Sequence, residues 1–292
     1  AVDADDHTGL LATGLAGRAG LLDRFRLRDG LGHVEVAHRR GEFVLDELVE
    51  FRVFRVDVGA LKDAGQEARL PVLRFLDGVA TGAHDHEAGQ VLEHLARVVD
   101  CCEALGAEVL AGPWYQPLGI FSGVGATADE LERCAEVHRR VASLAEAANL
   151  VCALEVLNRF ECYMLNTCEQ ASAYLDLLGA PNFGIHFDTF HANIEEKDSV
   201  AAVTAAWERG HLRHVHISEN DRGTPGKGQA RIRETISALK ALGYDEWLTI
   251  EAFGGSVPEL AAATRVWRPF FASEEEVYTE GHRFIRDCWA QA

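Results

Sequence analysis

No GxGxxG follows any stretch of this 292-residue sequence that reads as a strand, and GxxxxGK[ST] does not occur at all. These are the glycine-rich turns whose backbone amides cradle phosphates, so a dinucleotide-binding domain and a P-loop are both excluded. Cysteine motifs are missing too. Seven cysteines are scattered without CxxC or Cys/His finger spacing, and Cys101 and Cys102 are adjacent. An odd number of cysteines in a chain that is not small reads as reduced, with the thiols acting as small hydrophobes. There is no surplus of positive charge: 28 Lys and Arg stand against 46 Asp and Glu, a net charge of -18. A phosphate backbone needs a basic face, so nucleic acid is not an expected partner. No signal peptide and no run of about 18 apolar residues appears, so the expectation is a cytoplasmic protein that does not engage a membrane.

What is present is a hydrophobic content of 48% with 25% charged residues, enough for a large core. A chain of this length suits a single α/β barrel, which takes about 250 residues. The first third is the least patterned. A weak strand is expected within 9–16, a helix over 15–27, a clear strand at 33–37 (HVEVA), a helix over 44–61 and a strand over 70–76. Glu35 and His38 could face a pocket, but a surface pair is the preferred reading. From residue 85 the periods sharpen. Over 85–105, Val91, Leu92, Leu95, Val98, Val99 and Cys102 recur at helical spacing, and Gly106 stops the run. Strands are expected at 107–111, 150–155, 183–188, 212–218 and 247–251. Helices are expected at 127–148, 167–178, 199–209 and 231–242, then from 257 and from 273. Thr127 and Glu130 form a capping-box pattern. Alternating strands and helices mean repeated βαβ units and a parallel sheet. The expected fold is one (β/α)8 TIM barrel spanning residues 1–292, with an open sheet as the alternative.

The stretch 150–161, LVCALEVLNRFE, carries the first chemical signal. It is an apolar run that ends abruptly in charge at Glu155, as a buried parallel strand does when it delivers a polar group to its C-terminal end. Taken alone, Glu155 reads as readily as half of an ion pair with an arginine. The pattern recurs at Asp188 in FGIHFD, at His216 in LRHVHIS and at Glu251 in WLTIE. In a barrel the C-terminal strand ends converge on one mouth, which is where the active site lies. Three carboxylates and an imidazole there cannot all be satisfied by one another, because the like charges repel, and a divalent cation resolves this. Oxygen-rich donors with one nitrogen suit Mn²⁺, Mg²⁺ or Co²⁺ better than structural Zn²⁺. His214 alternates onto the same face as His216 and is the second candidate ligand. Trp114, Tyr115 and Phe121 lie in a loop after the 107–111 strand, where they could stack on a ligand or pack the loop.

At these residues the chain resembles a known family. LEVLNRFE (154–161), HFDTFHANIEE (186–196), HVHISENDRGTPGKG (214–228) and WLTIEAF (247–253) together are similar to the ketose 3-epimerases, namely the D-tagatose, D-psicose (allulose) and L-ribulose 3-epimerases of the xylose isomerase-like barrel superfamily. The likeness covers about residues 85–292; residues 1–85 match poorly, and the 229–234 segment QARIRE lacks a tryptophan that relatives often carry. The resemblance implies a metal, Mn²⁺ first, held by Glu155, Asp188, His216 and Glu251. It implies Glu155 and Glu251 as paired acid/base residues working through a cis-enediolate, and Glu161, His191 and Arg222 as contacts to a free sugar. It also implies a homodimer or homotetramer. Glu161 has a simpler alternative as a partner of Arg159, and Arg222 as a brace for the 223–228 loop. Aldose–ketose isomerases, hydroxypyruvate isomerases and sugar dehydratases use the same barrel. A non-catalytic sugar-binding protein is disfavoured, because it needs no opposed pair of acid/base groups.

Overall fold

A computed structural model of the chain describes residues 85–292 and, as backbone alone, residues 10–13, 22–29 and 32–39. The three early segments are strands β1 (Leu10–Thr13), β2 (Leu22–Asp29) and β3 (Gly32–Arg39), paired as an antiparallel meander. The expected strands within 9–16 and at 33–37 are therefore present. The helix expected over 15–27 is overturned at its C-terminal half, where β2 runs. The reason is visible in 24–28, R-F-R-L-R, which alternates strictly with the two-residue period of a strand. The helix expected over 44–61 and the strand over 70–76 lie outside the described residues, as do the side chains of Glu35 and His38.

From residue 85 the order is regular. Helix α1 (Asp85–Leu105) precedes β4 (Val109–Gly112), then α2 (Ala128–Ala147), β5 (Val151–Glu155), α3 (Cys168–Leu178) and β6 (Phe183–Asp188). Helices α4 (Thr189–Glu195) and α5 (Ser199–Glu208), β7 (Leu212–Ile217), α6 (Ile232–Ala241) and β8 (Leu248–Ile250) follow. Helices α7 (Pro258–Ala263) and α8 (Glu274–Gln291) end the chain. The expected elements are thus found within a few residues; α4, too short to show a period, is additional. Local signals account for the ends. Thr127 accepts from the Glu130 backbone N–H at 3.2 Å while Glu130 Oε2 accepts from the Thr127 N–H at 2.7 Å, a reciprocal capping box on α2. Thr167 and Gln170 repeat it on α3, which Gly179 ends at φ +68°.

Strands β4 to β8 form one parallel sheet in strictly sequential order. Sequential winding without a reversal is the progression of a barrel, whereas a doubly wound open sheet reverses at a switch point. Strands β4 to β8 are five consecutive staves of a TIM barrel. Val91, Leu95, Val98 and Val99 of α1 are buried, as expected, with Leu92 half-buried against them. They join Leu110, Leu154, Ile185, Val215 and Ile217 in a single core. All seven cysteines are free thiols, six of them buried. Among the described residues no helix is long and apolar enough to cross a membrane.

The β6–β7 seam aligns His186 with His214 and Asp188 with His216, after a register shift at Ile185/His186. Gly184 lies just before that shift. A Cβ there would collide with the His211 carbonyl oxygen and the Arg213 side chain. That carbonyl accepts the Ile185 N–H at 2.7 Å, so it cannot retreat without breaking the seam. Gly184→Ala is therefore expected to destabilise the fold by about 1–3 kcal/mol, the usual cost of overpacking. Urea unfolding monitored by circular dichroism checks this; an unchanged midpoint would show the seam to be slack.

Candidate metal centre and active site

Each of β5 to β8 carries an apolar strand to a buried polar end. Glu155 is the last residue of β5, Asp188 the last of β6, and His216 the penultimate residue of β7. Glu251 falls one residue beyond β8, its backbone N–H donating to the Ile217 carbonyl at 3.1 Å. All four residues are at most 5% exposed. One donor atom from each lies within 4.8 Å of those from the others. The mouth inferred from strand ends therefore exists as one cluster. His214 does not join it; it lies two residues deeper on β7 and groups instead with His186 and His216.

The electrostatics of the cluster are unbalanced. Arg222 Nη1 donates to Asp188 Oδ2 at 2.7 Å and to Ser218 Oγ at 2.9 Å, and also contacts the Glu251 carboxylate. The guanidinium is clasped between the Phe190 and Phe253 rings, 3.8 and 4.9 Å from their centroids. Burial pushes Asp188 above the usual carboxylate range, with Arg222 opposing and Glu251 adding to the rise. Burial pulls His216 down, but its interaction with Glu251 and the nearby Glu155 and Asp188 outweigh that, and the net direction is up. With all three carboxylates ionised, the one guanidinium leaves two negative charges for a cation to offset. His216 Nδ1 is buried without a hydrogen-bond partner, 3.6 Å from Glu251 Oε1 and 4.0 Å from Asp188 Oδ2. A divalent cation fits both the charge and the orphaned nitrogen, and the donor set is that of a hard ion.

The remaining predicted residues sit around this centre to different degrees. His191, on α4, is 1% exposed, and its Nε2 lies 3.6 Å from Glu155 Oε1 and 2.9 Å from Arg222 Nη2. Its Nδ1 accepts the Asn158 backbone N–H at 3.1 Å, which assigns the ring proton to Nε2. Two donors, His191 Nε2–H and Arg222 Nη2–H, therefore face one another. Glu161 lies one step out, accepting from Asn158 Nδ2 at 2.9 Å. It does not pair with Arg159, which instead clasps Glu195 through contacts of 2.9–3.2 Å. Asn158 thus links Glu161 to His191, a role that an asparagine beside a strand end did not announce. The bracing role considered for Arg222 falls to Glu219, whose carboxylate accepts the Gly226 and Ala230 N–H groups at 2.8 and 3.1 Å. Arg222 adopts φ +62°, an unfavourable backbone for a side chain with a Cβ, and aims inward. Tyr115 is fully buried and donates to the Glu155 carbonyl at 2.9 Å, so it steadies the strand end. Trp114 packs edge-on against His138 and Phe183. Both fill the loop; Phe121, 47% exposed, does not.

Comparison with known proteins shows the family of the chain. The Xylose isomerase-like TIM barrel family matches residues 30–288. A ketose 3-epimerase from Arthrobacter globiformis is 37% identical over 252 residues, covering 82% of this chain and 86% of the relative. A probable ketose 3-epimerase from Synechocystis sp. is 36% identical over 198 residues, 68% of each chain. Among solved structures, D-allulose 3-epimerase from Methylomonas sp. in complex with D-allulose superposes with a TM-score of 0.66 at 31% identity, covering 73% of both chains.

Removing the guanidinium tests the charge balance. Arg222→Met leaves Asp188 and Glu251 buried without their cation, so the metal-free protein is expected to lose about 3–5 kcal/mol of stability. Saturating Mn²⁺ should restore much of that loss. Thermal melts with and without Mn²⁺ read both effects; equal melting temperatures for variant and parent without metal would contradict the balance described.

Proposed function

This chain belongs to the xylose isomerase-like TIM barrel family, among the ketose 3-epimerases, and from that premise we propose that it inverts a free ketose at C3. The observation that carries the reading is the pair Glu155 and Glu251. Two buried carboxylates come from strands separated by β6 and β7, yet their oxygens meet at one mouth. Epimerisation needs such a pair. One group removes the C3 proton and the other returns a proton to the opposite face of the planar enediolate, since a single base would restore the original configuration.

Glu155, Asp188, His216 and Glu251 would hold the divalent ion, Mn²⁺ by preference for this donor set, with Mg²⁺ or Co²⁺ as alternatives. When bound, such an ion supplies Lewis-acid polarisation of the vicinal carbonyl and hydroxyl oxygens. The rest falls to the chain. The donors His191 Nε2–H and Arg222 Nη2–H lie 2.9 Å apart and could both donate to one oxygen set beside them, and a sugar oxygen meets that need. Glu161, held by Asn158, would accept from a sugar hydroxyl. Phe190 and Phe253 keep the guanidinium in place and water away from it. The lack of a phosphate-gripping loop favours an unphosphorylated sugar. A small sugar is the only ligand besides the ion that this reading requires; assembly as a dimer or tetramer is carried with it from the family, and a cytoplasmic location from the scattered free cysteines.

The test is incubation of Mn²⁺-loaded protein with D-fructose, D-psicose and D-tagatose in D₂O, read by NMR. Deuterium should enter at C3 together with the C3 epimer. EDTA should abolish it, and Glu251→Gln should lower the rate by about 10²–10⁴-fold, the usual weight of a general acid/base. Deuterium at C1 or C2 would make the protein an aldose–ketose isomerase, and no exchange with any of the three sugars would remove free ketose epimerisation.

A further inference from the structure

One step below the mouth, the barrel interior is unexpectedly polar. His186 precedes Asp188 by two residues on β6, and His214 precedes His216 by two on β7, so the two-residue strand period puts each pair on the same face. TIM-barrel interiors are ordinarily filled with branched apolar side chains. Here His186 is 1% exposed, and neither of its ring nitrogens has a hydrogen-bond partner among the described residues. His214 Nδ1 is likewise buried without one. Imidazole nitrogens left so in an interior are costly, and each calls for an explanation.

The geometry points to one. The His186–His214 and His214–His216 ring centroids are 5.0 and 5.1 Å apart, and His186–His216 are 3.9 Å apart. Three imidazoles bound to one ion at about 2.0–2.1 Å would have centroids about 5 Å apart, which two of the three pairs match and the closer His186–His216 pair would have to open to meet. One nitrogen of each ring lies within 4.8 Å of those of the other two. Of the outer nitrogens one is within hydrogen-bond distance of an oxygen and the other faces a carboxylate from farther away. His186 Nδ1 faces Glu155 Oε2 at 4.0 Å, and His214 Nε2 meets Thr249 Oγ1 at 3.3 Å. Oxygen partners of this kind orient metal-binding histidines. His186 Nε2 and His214 Nδ1 are thereby left for a ligand.

We propose that His186, His214 and His216 form a second metal site, selective for a late divalent transition ion such as Zn²⁺, directly beneath the carboxylate mouth and sharing His216 with it. The all-nitrogen donor set favours Zn²⁺, Ni²⁺ or Cu²⁺, where the mouth above favours harder ions. The inference touches the proposed catalytic centre through His216 and through the Glu155 carboxylate that faces His186; zinc binding and sugar turnover are read separately, so either can fail while the other stands.

The test compares zinc and manganese on the full chain stripped of metal. Zn²⁺ is titrated against a chromophoric chelator and Mn²⁺ by electron paramagnetic resonance, for the parent, His186→Leu and His214→Leu. Both variants should lose a zinc equivalent or bind zinc at least about tenfold more weakly. Their Mn²⁺ affinity should stay within about twofold of the parent. Zinc binding unchanged in both variants overturns the site. So does an equal loss of both metals, which would show only damage to the mouth. If neither variant folds, Co²⁺ added to the parent decides. An intense visible absorption band marks a nitrogen-rich site of low coordination number, and only the weak band of oxygen-rich six-coordination overturns it.

Discussion

Three carboxylates buried within a few ångströms of one another are the constraint on which this structure turns. Glu155, Asp188 and Glu251 are each at most 1% exposed, and their mutual repulsion inside a barrel has to be offset by positive charge. Arg222 supplies part of it, and His216 turns its Nδ1 toward Glu251 and Asp188 at 3.6 and 4.0 Å. The surrounding chain is shaped to keep these groups in place. Tyr115 fixes the end of β5 through the Glu155 carbonyl, and Glu219 laces the loop that turns Arg222 inward at a positive φ. A divalent cation is the remaining charge the arrangement calls for.

The parallel seam between β6 and β7 makes the mouth possible. Its register sets Asp188 beside His216 and, two residues earlier, His186 beside His214. The same pleat therefore builds an oxygen-rich layer above a nitrogen-rich one, joined through His216. Gly184 lets the strands approach closely enough for that register to hold. Fold and site are here one property: the spacing that closes the sheet is the spacing that gathers the ligands.

Much of this was legible in the sequence because buried parallel strands announce themselves as apolar runs, and a charge at the end of such a run has few reasons to be there. Glu155, Asp188, His216 and Glu251 could be placed on that ground alone. Contacts made by loops could not. Arg159 finds Glu195 rather than Glu161, and Asn158 becomes the link to His191, because the short helix α4 carries Glu195 and His191 back across the mouth. Nothing in seven residues signals that return. Trp114 and Tyr115 looked equally suited to ligand stacking and to packing; burial decided for packing. The C-terminal half of the helix expected over 15–27 gives way to β2 because arginines alternate with apolar residues over 24–28 at the period of a strand.

The central claim is that the four strand ends form a site for one hard divalent ion. Calorimetric titration of Mn²⁺ into metal-free protein tests it most directly. The account requires saturable binding of one ion per chain that disappears in Asp188→Ala, a substitution that removes a ligand while leaving both proposed acid/base residues. No heat of binding, or binding unchanged in that variant, would contradict it.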